Sequence, residues 1–260
     1  MQLKSFSILL FIAAGLLNAV NAQNRDFYEK STFVSGKDTL PYRILFPRHF
    51  DANRKYPLLV FLHGRGESGT DNQSQLVHGA DLFLRDSIRA NYPAIIVFPQ
   101  CPKTSYWSNV HITTDSAGKR YFDFRKGGPP TSAMKLVLKL MKQLRDKPFV
   151  DKSRVYAGGL SMGGMGTFEL LRRKPYWFAS AFAICGGDNP ANVRRYRKVP
   201  LWIFHGAKDD IVPPAASRAV VDQLKQYSEP VKYTVYPNAN HNSWDAALAE
   251  PDLLHWLFSH

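Results

Sequence analysis

Residues 158–167 read Gly-Gly-Leu-Ser-Met-Gly-Gly-Met-Gly-Thr, and they constrain the fold more than any other stretch of the chain. Within them Gly159-Leu160-Ser161-Met162-Gly163 is a G-x-S-x-G pentapeptide. The apolar run 155–157 precedes it, and the apolar-periodic segment Phe168-Glu169-Leu170-Leu171 follows. A strand that turns sharply into a helix presents a serine hydroxyl at the end of a sheet. Flanking glycines let neighbouring backbone approach a residue held in an unusual conformation. Ser161 is therefore the candidate nucleophile. The competing reading is a phosphate cradle at a helix start. It lacks the Lys-Ser/Thr ending of a P-loop and the G-x-G-x-x-G order of a dinucleotide site.

The rest of the chain supplies strands and helices in the alternation that such a turn needs. Residues 39–46 are expected to close an antiparallel hairpin with 32–34, turning at Gly36-Lys37-Asp38. Near-continuous apolar runs follow at 58–62, 94–98, 155–158, 179–184, 201–204 and 232–236, as expected of strands buried on both faces. Between them Met134, Val137, Leu138, Met141 and Leu144 recur at helical spacing behind a Thr131 or Ser132 N-cap. Val220, Val221, Leu224 and Tyr227 mark a helix after Pro213-Pro214. Pro251 is read as opening a terminal helix with Leu253, Leu254, Trp256, Leu257 and Phe258 packed inward. The alternation predicts an α/β fold with a mainly parallel sheet and helices on both faces. The segment 101–130 stands apart as a long polar, aromatic, Gly/Pro-rich connection. Its Tyr106, Trp107, Tyr121, Phe122 and Phe124 are placed to line or cover a pocket, or to pack the loop onto the body.

A serine hydroxyl needs an adjacent base, itself oriented by a third group. In a strand–elbow–helix hydrolase these arrive in the order Ser, Asp or Glu, His, each after a later strand. The strand at 201–204 runs into His205-Gly206-Ala207-Lys208-Asp209-Asp210, and the strand at 232–236 runs into Asn240-His241-Asn242-Ser243-Trp244. His241 is the candidate base. His205 precedes the acid, while His255 and His260 lie in or beyond the last helix. On order alone the acid is Asp209 or Asp210. Two N–H donors are needed for the oxyanion. The expected pair is the backbone of Met162, next to the serine, and of Arg65 in His63-Gly64-Arg65-Gly66-Glu67. His63 is read as an organiser of that loop.

Length and charge narrow the setting. Residues 1–22 read as an export signal: Lys4, an apolar core over 8–17, and Val20-Asn21-Ala22 before the cut. The apolar stretch is too short for a comfortable membrane span, so a periplasmic or secreted protein without stable membrane insertion is expected. Residues 23–260 then form a single domain. The formal charge is +13, or +12 once Lys4 is lost with the signal, and Arg172-Arg173-Lys174 and Arg194-Arg195-Tyr196-Arg197-Lys198 hold much of the excess. Such a surface favours acidic polysaccharide, anionic lipid or nucleic acid, although charge runs are usually solvated faces. No nucleic-acid module, metal motif or cofactor motif is recognisable.

Taken together, the chain resembles the α/β-hydrolase superfamily. Within it the likeness is to secreted carboxylesterases related to phospholipase/carboxylesterase and dienelactone-hydrolase proteins, which shade into feruloyl and acetylxylan esterases and are often labelled predicted peptidases. The matching pieces are residues 56–64, Phe98-Pro99-Gln100-Cys101-Pro102 with Trp107, Gly159 to Gly164, His205-Gly206 with Asp209, and His241-Asn242-Ser243-Trp244. The resemblance implies an eight-stranded sheet ordered 1-2-4-3-5-6-7-8. It selects Asp209, four residues after the histidine of the His-Gly pair. It also implies that Trp107 and Trp244 approach the substrate. In that strand order Cys101 and Cys185 end strands three positions apart, about 14 Å at about 4.8 Å per step. That exceeds the reach of a disulfide, so none is expected.

The implied activity is metal-independent hydrolysis of a carboxylic ester through an acyl-serine, with a small-molecule or oligosaccharide ester as substrate. Two other readings stand beside it. One is a peptidase using the same machinery, which the lack of a preceding propeller weighs against. The other is a non-catalytic glycan-binding protein on a hydrolase scaffold.

Overall fold

Alternate residues of a strand face opposite sides of its sheet, so a uniformly apolar run can serve two separate cores. That is how this chain uses its strands. The computed structural model describes residues 25–227 and 231–260, and the export segment read at 1–22 lies outside the described residues. The chain opens with an antiparallel hairpin, β1 (Glu29–Ser35) and β2 (Asp38–Leu45), whose turn holds Gly36 at φ 65°. Strand β3 (Tyr56–Leu62), two short helices α1 (Ala80–Leu84) and α2 (Asp86–Asn91), and β4 (Ile95–Pro99) follow. Next come a second hairpin, β5 (Val110–Thr114) and β6 (Arg120–Phe124), helix α3 (Ser132–Arg145) and the long strand β7 (Val150–Leu160). Helix α4 (Met162–Arg173), β8 (Ser180–Ile184), β9 (Leu201–Gly206), α5 (Ala215–Gln226), β10 (Val231–Tyr236), α6 (Trp244–Leu248) and α7 (Leu253–Phe258) complete the order.

Eight strands form one sheet in the order β1-β2-β4-β3-β7-β8-β9-β10, parallel from β4 to β10 and antiparallel at the β1–β2–β4 edge. With the separate β5–β6 hairpin set aside, this is the expected order. In β3, Leu58, Val60 and Leu62 join a core with Met134, Val137, Phe168, Leu171 and Val220, beneath α3, α4 and α5. Leu59 and Phe61 join the opposite core with Phe83, Phe182, Phe204, Leu254 and Leu257, beneath α1, α6 and α7. Helix α3 starts where expected, with Thr131 Oγ1 accepting the Met134 N–H. Among the described residues no helix is long and apolar enough to cross a membrane.

Two local expectations change. The segment 101–130 is not structureless, because 110–124 fold into the β5–β6 hairpin. One face carries Val110, Ile112, Phe122 and Phe124, half-buried and paired across the hairpin, and the other is exposed; two apolar residues per strand are too short an alternation to stand out in the sequence. Pro251 lies in a turn before α7, whose first helical residue is Leu253.

Helix α4 carries a buried ion cluster at its far end. Glu169 accepts from Arg172 at 2.7 Å and from Arg173 at 2.7 Å, with Glu169 and Arg172 only 4% and 5% exposed. Removing the carboxylate leaves a buried guanidinium uncompensated. Glu169→Ala is therefore expected to lower unfolding stability by about 3–5 kcal/mol, read as a shifted urea midpoint. An unchanged midpoint would show that the pair is not load-carrying for the helix.

Candidate active site

The geometry of Ser161 follows from backbone contact between the end of β3 and the start of α4. A Cβ added at Gly163 would collide with the Leu62 carbonyl, and one at Gly159 with the Gly163 carbonyl. No side chain fits at either position. Ser161 sits between them at φ 53°, ψ −117°, in a region that non-glycine residues rarely adopt. Its N–H donates to the Ile184 carbonyl at 2.8 Å, which ties the elbow to β8.

Three side chains meet at the C-terminal ends of β7, β9 and β10. Ser161 Oγ lies 2.9 Å from His241 Nε2, and His241 Nδ1 lies 2.8 Å from Asp209 Oδ2. Ser161 is 9% exposed and the His241 side chain 18%, so both can be reached from solvent. Asp209 is buried and Asp210 is exposed, so the ambiguity between neighbouring acids resolves geometrically toward Asp209. The acid and histidine loops are laced together. A Cβ on Gly206 would strike the carbonyls of Ala239 and Asn240, Lys208 N–H donates to the Ala239 carbonyl, and Asp210 N–H donates to Asn240 Oδ1.

Burial alone would raise the Asp209 carboxyl, but hydrogen bonds from His205 and His241 and from the Val212 amide hold it far below its ordinary range. Oδ1 accepts from the N–H groups of Ile211 (3.0 Å) and Val212 (2.9 Å). Oδ2 faces His241 and also His205 Nε2 at 3.1 Å. A carboxylate held this firmly can fix the tautomer of the His241 ring and stabilise an imidazolium. His205 thus has a part the sequence reading missed. It lines the acid rather than competing as base, and its position four residues before Asp209 was the available signal.

Arg65 heads a short helical turn (Arg65–Glu67) and Met162 heads α4, so neither backbone N–H has an acceptor within its own turn. Both stand beside Ser161, since a Cβ on Gly64 would lie 3.7 Å from that of Ser161. The Arg65 guanidinium, idle in the sequence reading, donates to the carbonyls of Ser105 (2.8 Å) and Lys103 (2.7 Å) and so pins its own backbone. His63 is fully enclosed. Its Nδ1 donates to the Gly64 carbonyl and its Nε2 accepts the Cys101 N–H at 2.9 Å, and burial pushes its pKa down to about 4.

Trp107 corrects an expectation. It is 0% exposed, with Nε1 donating to the His63 carbonyl at 3.1 Å and its side chain packed on Gly166. It braces the loop from behind and does not reach the solvent side where a substrate would lie. Trp244 is half-buried and edge-on to the His241 ring at 5.4 Å. His78 also packs on Trp244 at 5.1 Å. Glu67, whose Oε2 is buried without a hydrogen-bond partner among the described residues, approaches His78 Nε2 at 3.8 Å. Nothing marks His78 in the sequence, whereas Glu67 stands in the His-Gly loop itself.

Both cysteines are free and buried. Cys185, Asp209 and His241 have donor atoms within 4.8 Å of one another, a set that could in principle hold a cation. The residues fit one poorly. Asp209 is already met by four donors, and burial pushes the Cys185 thiol well up, so it keeps its proton.

A mostly parallel, doubly flanked sheet with a glycine-framed serine elbow between its central strands defines an α/β-hydrolase. The chain belongs to the phospholipase/carboxylesterase family, whose model matches residues 51–251. Among curated proteins it is 29% identical to lysophospholipase-like protein 1 of Mus musculus over 192 residues, 70% of this chain and 79% of the mouse protein. It is 22% identical to a probable feruloyl esterase C of Aspergillus oryzae over 218 residues, 82% of this chain and 72% of that one. Among solved structures, a thermostable esterase superposes with a TM-score of 0.80 at 33% identity, covering 91% of this chain and 64% of the other. This chain therefore spans just under two thirds of that esterase's length.

The loop after β8 adds an acid the sequence reading passed over. Asp188 accepts from the Asn189 amide, from Asn192 Nδ2 and from Tyr196 Oη, yet burial raises its pKa to about 6. Its effect on stability opposes that of His63. The folded His63 pKa is depressed from 6.5, so the unfolded chain binds the extra proton and stability is lost as pH falls from 6.5 to 4. The folded Asp188 pKa is raised from 3.8, so the folded chain binds the extra proton and stability is gained as pH falls from 6 toward 4. Each contribution is about 3 kcal/mol. Asp188 should therefore offset in the wild type much of the loss that His63 causes across this window. In Asp188→Asn the melting temperature should fall steadily from pH 6.5 to pH 4. Parallel thermal melts of the two proteins would disprove the opposition.

Proposed function

We propose that this protein is an exported serine esterase that cleaves carboxylic esters through an acyl-enzyme. The observation that carries the reading is the unbroken series of contacts from Ser161 Oγ to His241 Nε2 at 2.9 Å and from His241 Nδ1 to Asp209 Oδ2 at 2.8 Å. His241 takes the proton of Ser161 as Oγ attacks the ester carbonyl. The oxyanion accepts from the backbone N–H groups of Met162 and Arg65, both free of helical acceptors. Collapse expels the alcohol, which leaves with the proton from His241. Water, deprotonated by the same ring, then attacks the acyl-serine and releases the acid. Asp209 holds the ring in place throughout and does not itself take the proton.

The substrate class follows from the setting of the site. Trp244 offers an aromatic wall beside His241, and an export segment at 1–22 would send the domain 23–260 out of the cytoplasm. An ester borne by a plant polysaccharide or its oligosaccharides fits both, in line with the feruloyl esterase among the relatives.

The purified protein and its variants should be assayed on acetyl, butyryl and octanoyl p-nitrophenyl esters, methyl ferulate, acetylated xylan and a peptidyl anilide. Ser161→Ala is expected to lose about 10⁴-fold or more of kcat/KM on every ester that is turned over. Turnover of the anilide in preference to the esters would assign a peptidase instead. Undiminished ester hydrolysis by Ser161→Ala would overturn the mechanism.

The two neighbouring acids offer a sharper comparison. Asp209→Asn should cost about 10³–10⁴-fold in kcat, whereas Asp210→Asn, at an exposed carboxylate, should stay within about twofold of wild type. Equal losses in the two variants would remove Asp209 from its assigned role.

A further inference from the structure

The far end of α4 carries a second concave surface, remote from Ser161. The helix is 12 residues long, so Arg172 and Arg173 stand about 17 Å along it from the serine at 1.5 Å per residue. There an open cleft of about 730 Å³ is lined by Arg172, Arg173, Lys174, Tyr176, Arg194 and Arg195, among others. A second cleft of about 380 Å³ shares Arg172, Arg173, Lys174 and Arg195 and extends the groove past Gly127 and Gly128. Among the described residues no acidic one lines either cleft.

The charge of this groove is largely unspent. Glu169 offsets Arg172 and Arg173, one carboxylate against two cations. Arg194 and Arg195 are exposed and make no hydrogen bond or ion pair among the described residues. The aromatic content is equally specific. Trp177 meets both the Arg145 guanidinium (4.8 Å) and the Lys174 ammonium (5.3 Å), which braces the turn Pro175–Trp177, and Tyr176 in that turn is 95% exposed. A planar aromatic face beside guanidinium forks matches a sugar ring bearing a carboxylate.

We propose that this groove is a binding site for a uronate-bearing polysaccharide, with Arg194 and Arg195 pairing its carboxylates and Tyr176 packing against a sugar face. An anionic membrane is a poorer match. The surface is concave and offers one exposed aromatic, whereas interfacial docking needs a broad apolar face to insert. Segments beside the groove are tied to the loops at the first turn of α4. Gly127 N–H donates to Asn192 Oδ1, Asn189 Nδ2 donates to the Phe124 carbonyl, and Gly186 abuts Gly164 in the first turn of α4. A polymer held here would be retained near Ser161 between turnovers. The binding itself does not rest on the role assigned to Ser161.

The test is titration of the protein with polygalacturonate, neutral arabinoxylan and phosphatidylglycerol vesicles at about 100 mM salt, where long-range attraction is screened. Polygalacturonate should bind more tightly than either comparison. Arg194→Ala with Arg195→Ala should raise its Kd about tenfold. Tyr176→Ala, and Arg194→Lys with Arg195→Lys, should each raise it about threefold or more without that loss of charge. p-Nitrophenyl acetate hydrolysis should be unchanged in all three. Unaltered affinity in the Tyr176 and Lys variants would reduce the site to unspecific charge attraction and overturn the proposal. So would tighter binding to vesicles or equal binding to arabinoxylan. A protein without esterase activity that still shows the binding pattern would sink the function proposed for Ser161 and leave this site standing.

Discussion

Backbone contact between the end of β3 and the first turn of α4 is the constraint on which the rest of the site depends. The Leu62 carbonyl occupies the space that any Cβ at residue 163 would fill, and the Gly163 carbonyl does the same to residue 159. With both neighbours reduced to glycine, the chain can reverse in one residue and hold Ser161 at positive φ. Such a conformation costs on the order of 1–3 kcal/mol. It persists because β7 and α4 are anchored in cores on both sides of the sheet. The same contact brings the His63–Glu67 loop beside Ser161, so the hydroxyl and the candidate oxyanion donors are set by one steric fact.

Around that elbow, polar groups are buried only where donors and acceptors have been arranged for them. Asp209 stays ionised in a buried setting because four donors converge on its two oxygens. His63 takes the opposite solution, remaining neutral while one ring nitrogen donates and the other accepts. Asp188 has three partners and still has its pKa raised, so for it desolvation wins. The three residues differ in what they face. Asp209 meets two imidazole rings and two amides, whereas Asp188 meets side-chain amide, amide and phenol dipoles without an imidazole to share charge.

Much of this arrangement was legible in the chain because it rests on local patterns. All eight sheet strands show as apolar runs or a Gly-turned hairpin partner, and the elbow declares itself through two glycines, Gly159 and Gly163, that sterics demand. The order serine, acid, histidine follows from a topology in which each later strand delivers one loop to the same edge, while the choice of Asp209 over Asp210 comes from the resemblance. What could not be read depends on burial and on contact across the sequence. Trp107 looks like a pocket residue in an aromatic loop, but its indole N–H found the His63 carbonyl and turned the ring inward. The β5–β6 hairpin escaped because its apolar face is only two residues per strand, too short an alternation to stand out in a polar segment. His78 was silent since its contacts with Glu67 and Trp244 join segments far apart in the chain.

Helix α4 links the two halves of the molecule's chemistry. Its N-terminus, the positive end of the helix dipole, opens at Ser161, where an oxyanion would form. Its C-terminus, the negative end, is met by Arg172, Arg173 and Lys174. A basic last turn is what any helix of this kind prefers, so those three residues alone would call for no ligand. Dipole compensation does not reach the others, however. Arg194 and Arg195 come from the segment after β8 and stand exposed without a hydrogen-bond or ion-pair partner among the described residues, and Tyr176 lies beyond the helix on a turn braced by Trp177. Charge that exceeds what the helix end requires, gathered from two separate segments around an outward-facing ring, has the composition of a recognition surface.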